Sequence, residues 1–188
     1  MPFTDSIFIL IIVLIAVGLL DTALLALFVP FYMRVGIPAW WQSASIPTEE
    51  QFRQAITQMD GTELRGTWYP TIVFRRISPT ELAFRHKLGE FKVGFRFRSP
   101  IRGIVRLVEG QYTVKVTNYL PWSTPVALAL FIWLFRSFAW PGFEAGIKMG
   151  FFAFLLLIMG ITVGVQLVVF GQVNSRILEK IMGKSYWQ

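Results

Sequence analysis

The chain has no cysteine and one histidine, His86, in 188 residues. The first absence excludes disulfides, thiolate nucleophiles, iron–sulfur clusters and cysteine-based zinc sites. A single histidine cannot build the usual histidine zinc set or a bis-histidine haem site. There is no Ser/His/Asp arrangement, no phosphate-cradling glycine loop and no pair of carboxylates set for acid–base work on a helix. Glu49 and Glu50 are adjacent, which suits the positive end of a helix dipole better than catalysis. The chain therefore reads as non-catalytic, with neither cofactor nor metal expected. Internal repeats and low-complexity tracts are also lacking.

Acidic residues are scarce as well: 11 Asp and Glu stand against 18 Lys and Arg, for a formal net charge of +7. Such an excess suits nucleic acid or an anionic membrane surface. Aromatic residues interleave with the basic ones in the middle of the chain, as in single-strand binders. Strand alternation, however, sends those rings and charges to opposite faces. Nucleic acid is therefore not an expected partner, and anionic lipids are.

What the chain has in abundance is apolar sequence. Residues 7–33, 121–140 and 149–171 are each long and apolar enough for a bilayer crossing, which needs about 20 residues. Met1–Ser6 holds Asp5 and no basic residue, so 7–33 reads as a retained span rather than a cleaved signal. Arg34 ends it, and Trp40 and Trp41 follow as an interfacial aromatic pair. Residues 34–120 read as an extramembrane domain. Its first element is a short amphipathic helix over 45–59, capped by Ser45 or Thr48, with Phe52, Ala55, Ile56 and Met59 on one face. Six strands follow, at 64–69, 71–77, 81–88, 91–98, 102–108 and 111–119, parted by turns at Ser78-Pro79, Gly89-Glu90, Ser99-Pro100 and Glu109-Gly110. Turns this short allow only an antiparallel sheet. The expected fold is thus a membrane α+β protein, with three transmembrane helices and a small antiparallel meander or open barrel between the first two. Residues 172–188 read as an amphipathic juxtamembrane tail.

Three sets of residues stand out. Gly146, Gly150, Ala153, Gly160, Gly164 and Gly171 lie along one helix face in a heptad-like seam, where small side chains let a second helix approach closely. Asp21 and Arg136 are charges within apolar segments at similar depth, each costly alone, and are candidates for an intramembrane ion pair; the alternative is that Arg136 snorkels outward and Thr22 or Thr162 satisfies Asp21. Arg85, Lys87, Lys92, Arg96, Arg98, Arg102 and Arg106 form a basic set able to contact lipid headgroups. His86 falls on the apolar side of its strand, as a core or rim residue.

The charge distribution places Arg34, Lys115 and the basic tail on one side, with Asp5, Glu144 and Lys148 opposite. The expected topology is N-terminus out, sheet domain and C-terminus cytoplasmic. The expected setting is a multi-pass protein of a bacterial inner or photosynthetic membrane. The function that fits is a structural accessory subunit of a larger bioenergetic, photosynthetic or transport complex, partnered by other integral membrane subunits. Two alternatives are a free-standing lipid-surface or sensing module and a carrier or enzyme centred on Asp21.

Overall fold

The computed structural model describes residues 3–66, 69–88, 101–108, 110, 112–122, 124–126, 128–129, 132 and 145–183. Its centre is a curled six-stranded antiparallel half-barrel in the order β1-β6-β5-β4-β3-β2. The strands are β1 (Pro38–Ser45), β2 (Glu63–Leu64), β3 (Ile72–Ser78), β4 (Glu81–His86), β5 (Arg102–Val108) and β6 (Thr113–Tyr119). The helices are α1 (Phe3–Ala26), α2 (Pro30–Arg34), α3 (Glu49–Met59) and α4 (Ala145–Ile181).

Strand alternation divides the sheet into two faces. On the first, Ile72, Phe74, Leu82, Phe84, Val105, Val114 and Val116 form one core with Phe52, Ile56 and Met59 of α3 and Phe170, Val173, Ile177 and Ile181 of α4. On the second, Ala83 packs with Leu25, Phe28, Tyr32 and Met33, the chain from the end of α1 through α2. The second covering is local. Arg102–Val105 of β5 and Val116–Tyr119 of β6 are buried at every position, whereas Thr113, Lys115 and Arg106–Val108 are only half-buried. One end of the sheet is thus covered on both faces. Both long helices meet the sheet at this end.

The short helix forms for the reasons its sequence supplies. The Thr48 hydroxyl accepts from the Gln51 amide at 3.2 Å, and Glu49 and Glu50 occupy the first turn. Phe52, Ile56 and Met59 are its buried face, and Gly61 follows at φ +70°, a conformation that favours glycine.

Several sequence expectations need correction. The fold is not three transmembrane helices carrying a small sheet. Among the described residues one helix, Gly160–Ile181, is long and apolar enough to cross a membrane, and 39% of its apolar window is buried inside the protein. The stretch 11–26 is apolar but shorter. The expected first span over 7–33 breaks at Leu27–Val29, where Phe28 adopts φ +50° and Pro30 opens α2. Proline suits that first-turn position because it lacks the amide a helix start leaves unused. Of the expected second span over 121–140, residues 121–122, 124–126, 128–129 and 132 are described, and the rest lie outside the described residues.

The sheet differs too. Pro38–Ser45 is a strand, although its aromatic pair suggested a membrane interface. The expected strand over 91–98 lies outside the described residues, and it does not separate β4 from β5, because Arg85 pairs directly with Arg102. The amphipathic stretch after Gly171 is the continuation of α4. Its apolar side, Val173, Ile177, Leu178 and Ile181, is covered by the sheet core. An apolar helix face is satisfied by any apolar surface, and the nearest one here is protein.

Gly103 shows how tightly the doubly covered end is built. A Cβ there would lie 2.3 Å from the Phe84 ring and 2.3 Å from the Thr117 carbonyl oxygen, which is backbone within the sheet. Gly103→Ala is expected to cost about 1–3 kcal/mol, the range for overpacking a filled core. Thermal unfolding in mild detergent would read this as a Tm several degrees lower. An unchanged Tm would show that β5 and β6 can part at this point.

Candidate functional site

The densest polar arrangement among the described residues is where α1, α2, β5 and the end of β6 meet. Arg102 opens β5, and although charged it is only 1% exposed. One arm of its guanidinium donates to the Tyr32 carbonyl and the other to the Leu120 carbonyl at 2.7 Å. The fork therefore ties the end of the incoming helical segment to the end of the sheet. The guanidinium carbon lies 4.0 Å from the Tyr32 ring centroid and 5.9 Å from that of Tyr119. Stacking of this kind suits a planar, weakly hydrated cation. Burial draws the Arg102 guanidinium below its ordinary pKa, while Tyr32, Asp21 and Tyr119 act in the opposite direction.

Gly36 makes the room. A Cβ at this residue would sit 2.6 Å from an Arg102 terminal nitrogen and 3.3 Å from Tyr119 Cβ. Tyr32 extends the arrangement by donating its hydroxyl to Asp21 Oδ1 at 2.5 Å. Asp21 is itself buried, packed at the sheet end of α1. The costly carboxyl in an apolar helix thus has a phenol from the next helix. Arg136, its candidate partner from the sequence, lies outside the described residues.

The basic set is distributed among separate tasks. Arg85 stacks 4.6 Å from the Phe28 ring and donates to the His86 carbonyl at 2.9 Å. Lys87 pairs with Glu63 at 2.6 Å. Arg106 lies 3.8 Å from Glu81, which also holds Arg34 at 2.5 Å. Arg102 is buried as described, whereas Lys92, Arg96 and Arg98 lie outside the described residues. Arg85, Arg102 and Arg106 share the second sheet face, but the fold uses each of them internally.

The small-residue seam runs along α4. Gly146 is in its first turn, and Ala153 is exposed. A Cβ at Gly150, Gly160 or Gly164 would meet nothing within 4 Å, and at Gly171 only the Trp40 indole nitrogen at 3.9 Å. Among the described residues, then, the chain covers this seam only at its inner end. There, Asn118 of β6 donates to Asn174 of α4 at 2.6 Å, a buried bond that fixes the helix on the sheet. Sequence reading missed Asn118, Asn174 and Tyr32. A polar residue within the apolar β6 pattern and another on the apolar face of α4 were the available signals.

Among the described residues no group of three His, Asp or Glu side chains is placed to hold a metal. A hollow at the far end of the sheet is lined by Glu49, Arg53, Thr80, Leu107, Val108, Gly110 and Tyr112. Glu49 is held there by Arg53 at 2.5 Å. No protein family, curated protein or solved structure matches this chain.

Two outcomes follow from this geometry. Arg102→Met removes both fork bonds and leaves the buried Tyr32 carbonyl and the half-buried Leu120 carbonyl without this donor. The loss is expected to be about 2–5 kcal/mol, read as a lower yield of folded protein and a lower Tm. Gly36→Ala should act in the same direction by displacing the guanidinium. If Arg102→Met melts with the parent chain, the fork does not hold the junction.

His86 supplies a pH dependence. Burial holds its imidazole below the ordinary value, aided by the positive charge of Arg85 and opposed by a bond to the Ile101 carbonyl. The unfolded chain therefore takes up this proton first as pH falls. Stability is fully present above the ordinary histidine range and declines as pH drops from there toward the lowered folded value. Unfolding curves between pH 7.5 and 5 should show the decline, and His86→Gln should flatten it. An identical slope in the variant would assign the effect to other groups.

Proposed function

We propose that this chain is a non-catalytic membrane subunit that holds its half-barrel rigidly beside the bilayer as part of a larger membrane assembly. The observation that carries the reading is exposed apolar surface on helices whose other ends are fixed to the sheet. Along α1, Phe8, Ile9, Ile11, Ile12, Ile15, Leu19 and Leu20 are exposed, Phe8 at 66%. Along α4 the same holds for Phe154, Leu157, Ile161 and Val163, with Leu157 at 60%. Water tolerates isolated apolar side chains but not continuous apolar helices. Hydrocarbon, or a neighbouring apolar helix, accepts them without cost.

The arrangement of helix ends supports the same reading. The Ala26 carbonyl of α1 accepts from Arg85, at the end of β4, while α4 passes Trp40 at the start of β1. Both positions belong to the doubly covered end of the sheet. A single membrane surface at that end serves both helices. The basic residues Arg34, Lys115, Arg176 and Lys180 then favour a cytoplasmic sheet domain. Arg102, Tyr32, Asn118 and Asn174 each bond a different element at this junction, which suits a scaffold.

Retention in the pellet after alkaline extraction is the expected result for the full chain, together with co-migration with a much larger species on native gels in mild detergent. Gly160→Leu and Gly164→Leu sharpen the second measurement. No other part of the described chain lies near those Cβ positions, so the variants should keep the parent Tm yet lose the larger species. Release by alkali would end the membrane reading. A lone small band would end the subunit reading.

A further inference from the structure

β1 is the outer strand of the sheet, and among the described residues its backbone pairs only with β6. Its eight residues span about 26 Å. From Ala39 to Ser45 they include no charge and no proline. Proteins usually guard such an edge with lysine, proline, a bulge or extreme shortness, because an open edge recruits a further strand. The opposite edge of this sheet is guarded in that way. β2 is two residues long, and its Glu63 pairs with Lys87 and lies 3.9 Å from Arg65. One edge is closed; the other has Pro38 and a bulge between Pro38 and Trp40 at its start, and among the described residues it is open from Trp40 to Ser45.

The open edge is also stiff. Ser175 of α4 donates to the Gln42 side chain at 3.3 Å, and Gly171 faces the Trp40 indole. From Gly171 to Ser175 the helix rises about 6 Å. From Trp40 to Gln42 the strand advances about 6.6 Å. Helix and strand therefore run side by side in the same direction. That direction bears on what can dock. A second copy pairing antiparallel on β1 would be inverted, so its α4 would point away from the bilayer that holds the first. This step rests on the membrane reading above, and it makes a different chain the occupant.

Side chains define the chemistry of that occupant. On the second face Trp41 is 60% exposed, and Lys115 Nζ lies 5.6 Å from its ring. Ser43 stands directly opposite Lys115 in the register, and it is exposed and small. A lysine can reach across it to a strand added outside β1. Neither β1 nor β6 contains an acidic residue, and Glu81, on β4, is engaged by Arg34 and Arg106. We infer that the β1 edge binds an extended acidic segment of a partner protein by strand addition, with a carboxylate meeting Lys115 and an apolar group beside Trp41. Main-chain bonds supply the affinity in this mode and side chains the choice of partner.

The test uses the full chain in detergent micelles and two labelled heptapeptides, Thr-Val-Glu-Val-Glu-Val-Thr and its twin with Lys for Glu, followed by fluorescence anisotropy. The acidic peptide is expected to bind and the basic one not. Lys115→Glu should weaken the acidic peptide by about fivefold and strengthen the basic one similarly, as a cross-strand charge pair near 1 kcal/mol dictates. Equal binding of both peptides, or of neither, overturns the inference. So does a disulfide-linked dimer of Ser43→Cys, whose thiol would be the only one in the chain, because it would make a second copy the occupant. Alkaline extraction on the same preparation separates the two ideas. Retention without peptide binding removes the edge inference alone. Release with charge-selective peptide binding removes the membrane reading and leaves the acidic-strand site standing.

Discussion

The Arg102 fork is the interaction on which the rest of the junction depends. It satisfies two backbone carbonyls that the ends of regular elements leave without partners, one from α2 and one just after β6. Those carbonyls belong to segments about 90 residues apart in sequence, so a single side chain closes a very long loop. The arrangement works because guanidinium is planar and offers several donors in fixed directions, which a lysine could not reproduce. It also explains why Tyr32 and Tyr119 flank the cation: aromatic faces replace part of the hydration it gives up.

The two faces of the sheet are stabilised differently. The first is an ordinary apolar core, in which α3 and the inner half of α4 cover alternating aliphatic and aromatic residues. The second mixes Ala83, Leu25 and Phe28 with arginines that stack on rings and bond to carbonyls. A charge buried in this way is costly to strand, so each change here removes more than one contact. Conformational specificity is the benefit, since the fork and stack permit few alternative placements of α2.

Local elements were legible in the sequence wherever periodicity and capping agreed. Helix α3 followed from Thr48, Glu49 and the Phe52–Ile56–Met59 face, and β3 to β6 from alternation and their turns. The antiparallel sheet was readable for the same reason. Three features were not. The strand Pro38–Ser45 has two adjacent tryptophans and then small polar residues, a pattern without clear alternation, and only its pairing with β6 makes it a strand. The sheet-bound half of α4 looked like a surface tail because amphipathicity does not say which apolar surface will cover it. Arg102 read as one of several exposed cations, because nothing local distinguishes a buried arginine. Its partners are backbone carbonyls of remote residues, which sequence patterns do not encode. Apolar length likewise overstated the membrane portion: part of the helix Gly160–Ile181 is apolar because it lines a protein core.

Helix α4 runs unbroken for 37 residues, a rise of about 55 Å. Its inner part is a wall of the domain core, and its outer part stands clear of the sheet. A continuous helix of this kind is a lever with one arm embedded in its load. A tilt of about 10° at the outer arm displaces the far end of the inner arm, some 25 Å along, by about 4 Å. Two asparagines and a serine–glutamine bond pin that inner arm to β6 and β1, so the half-barrel must swing as one piece with the helix. The sheet's orientation is therefore set by the angle of a single rod, and whatever surrounds the outer arm determines where the open strand points.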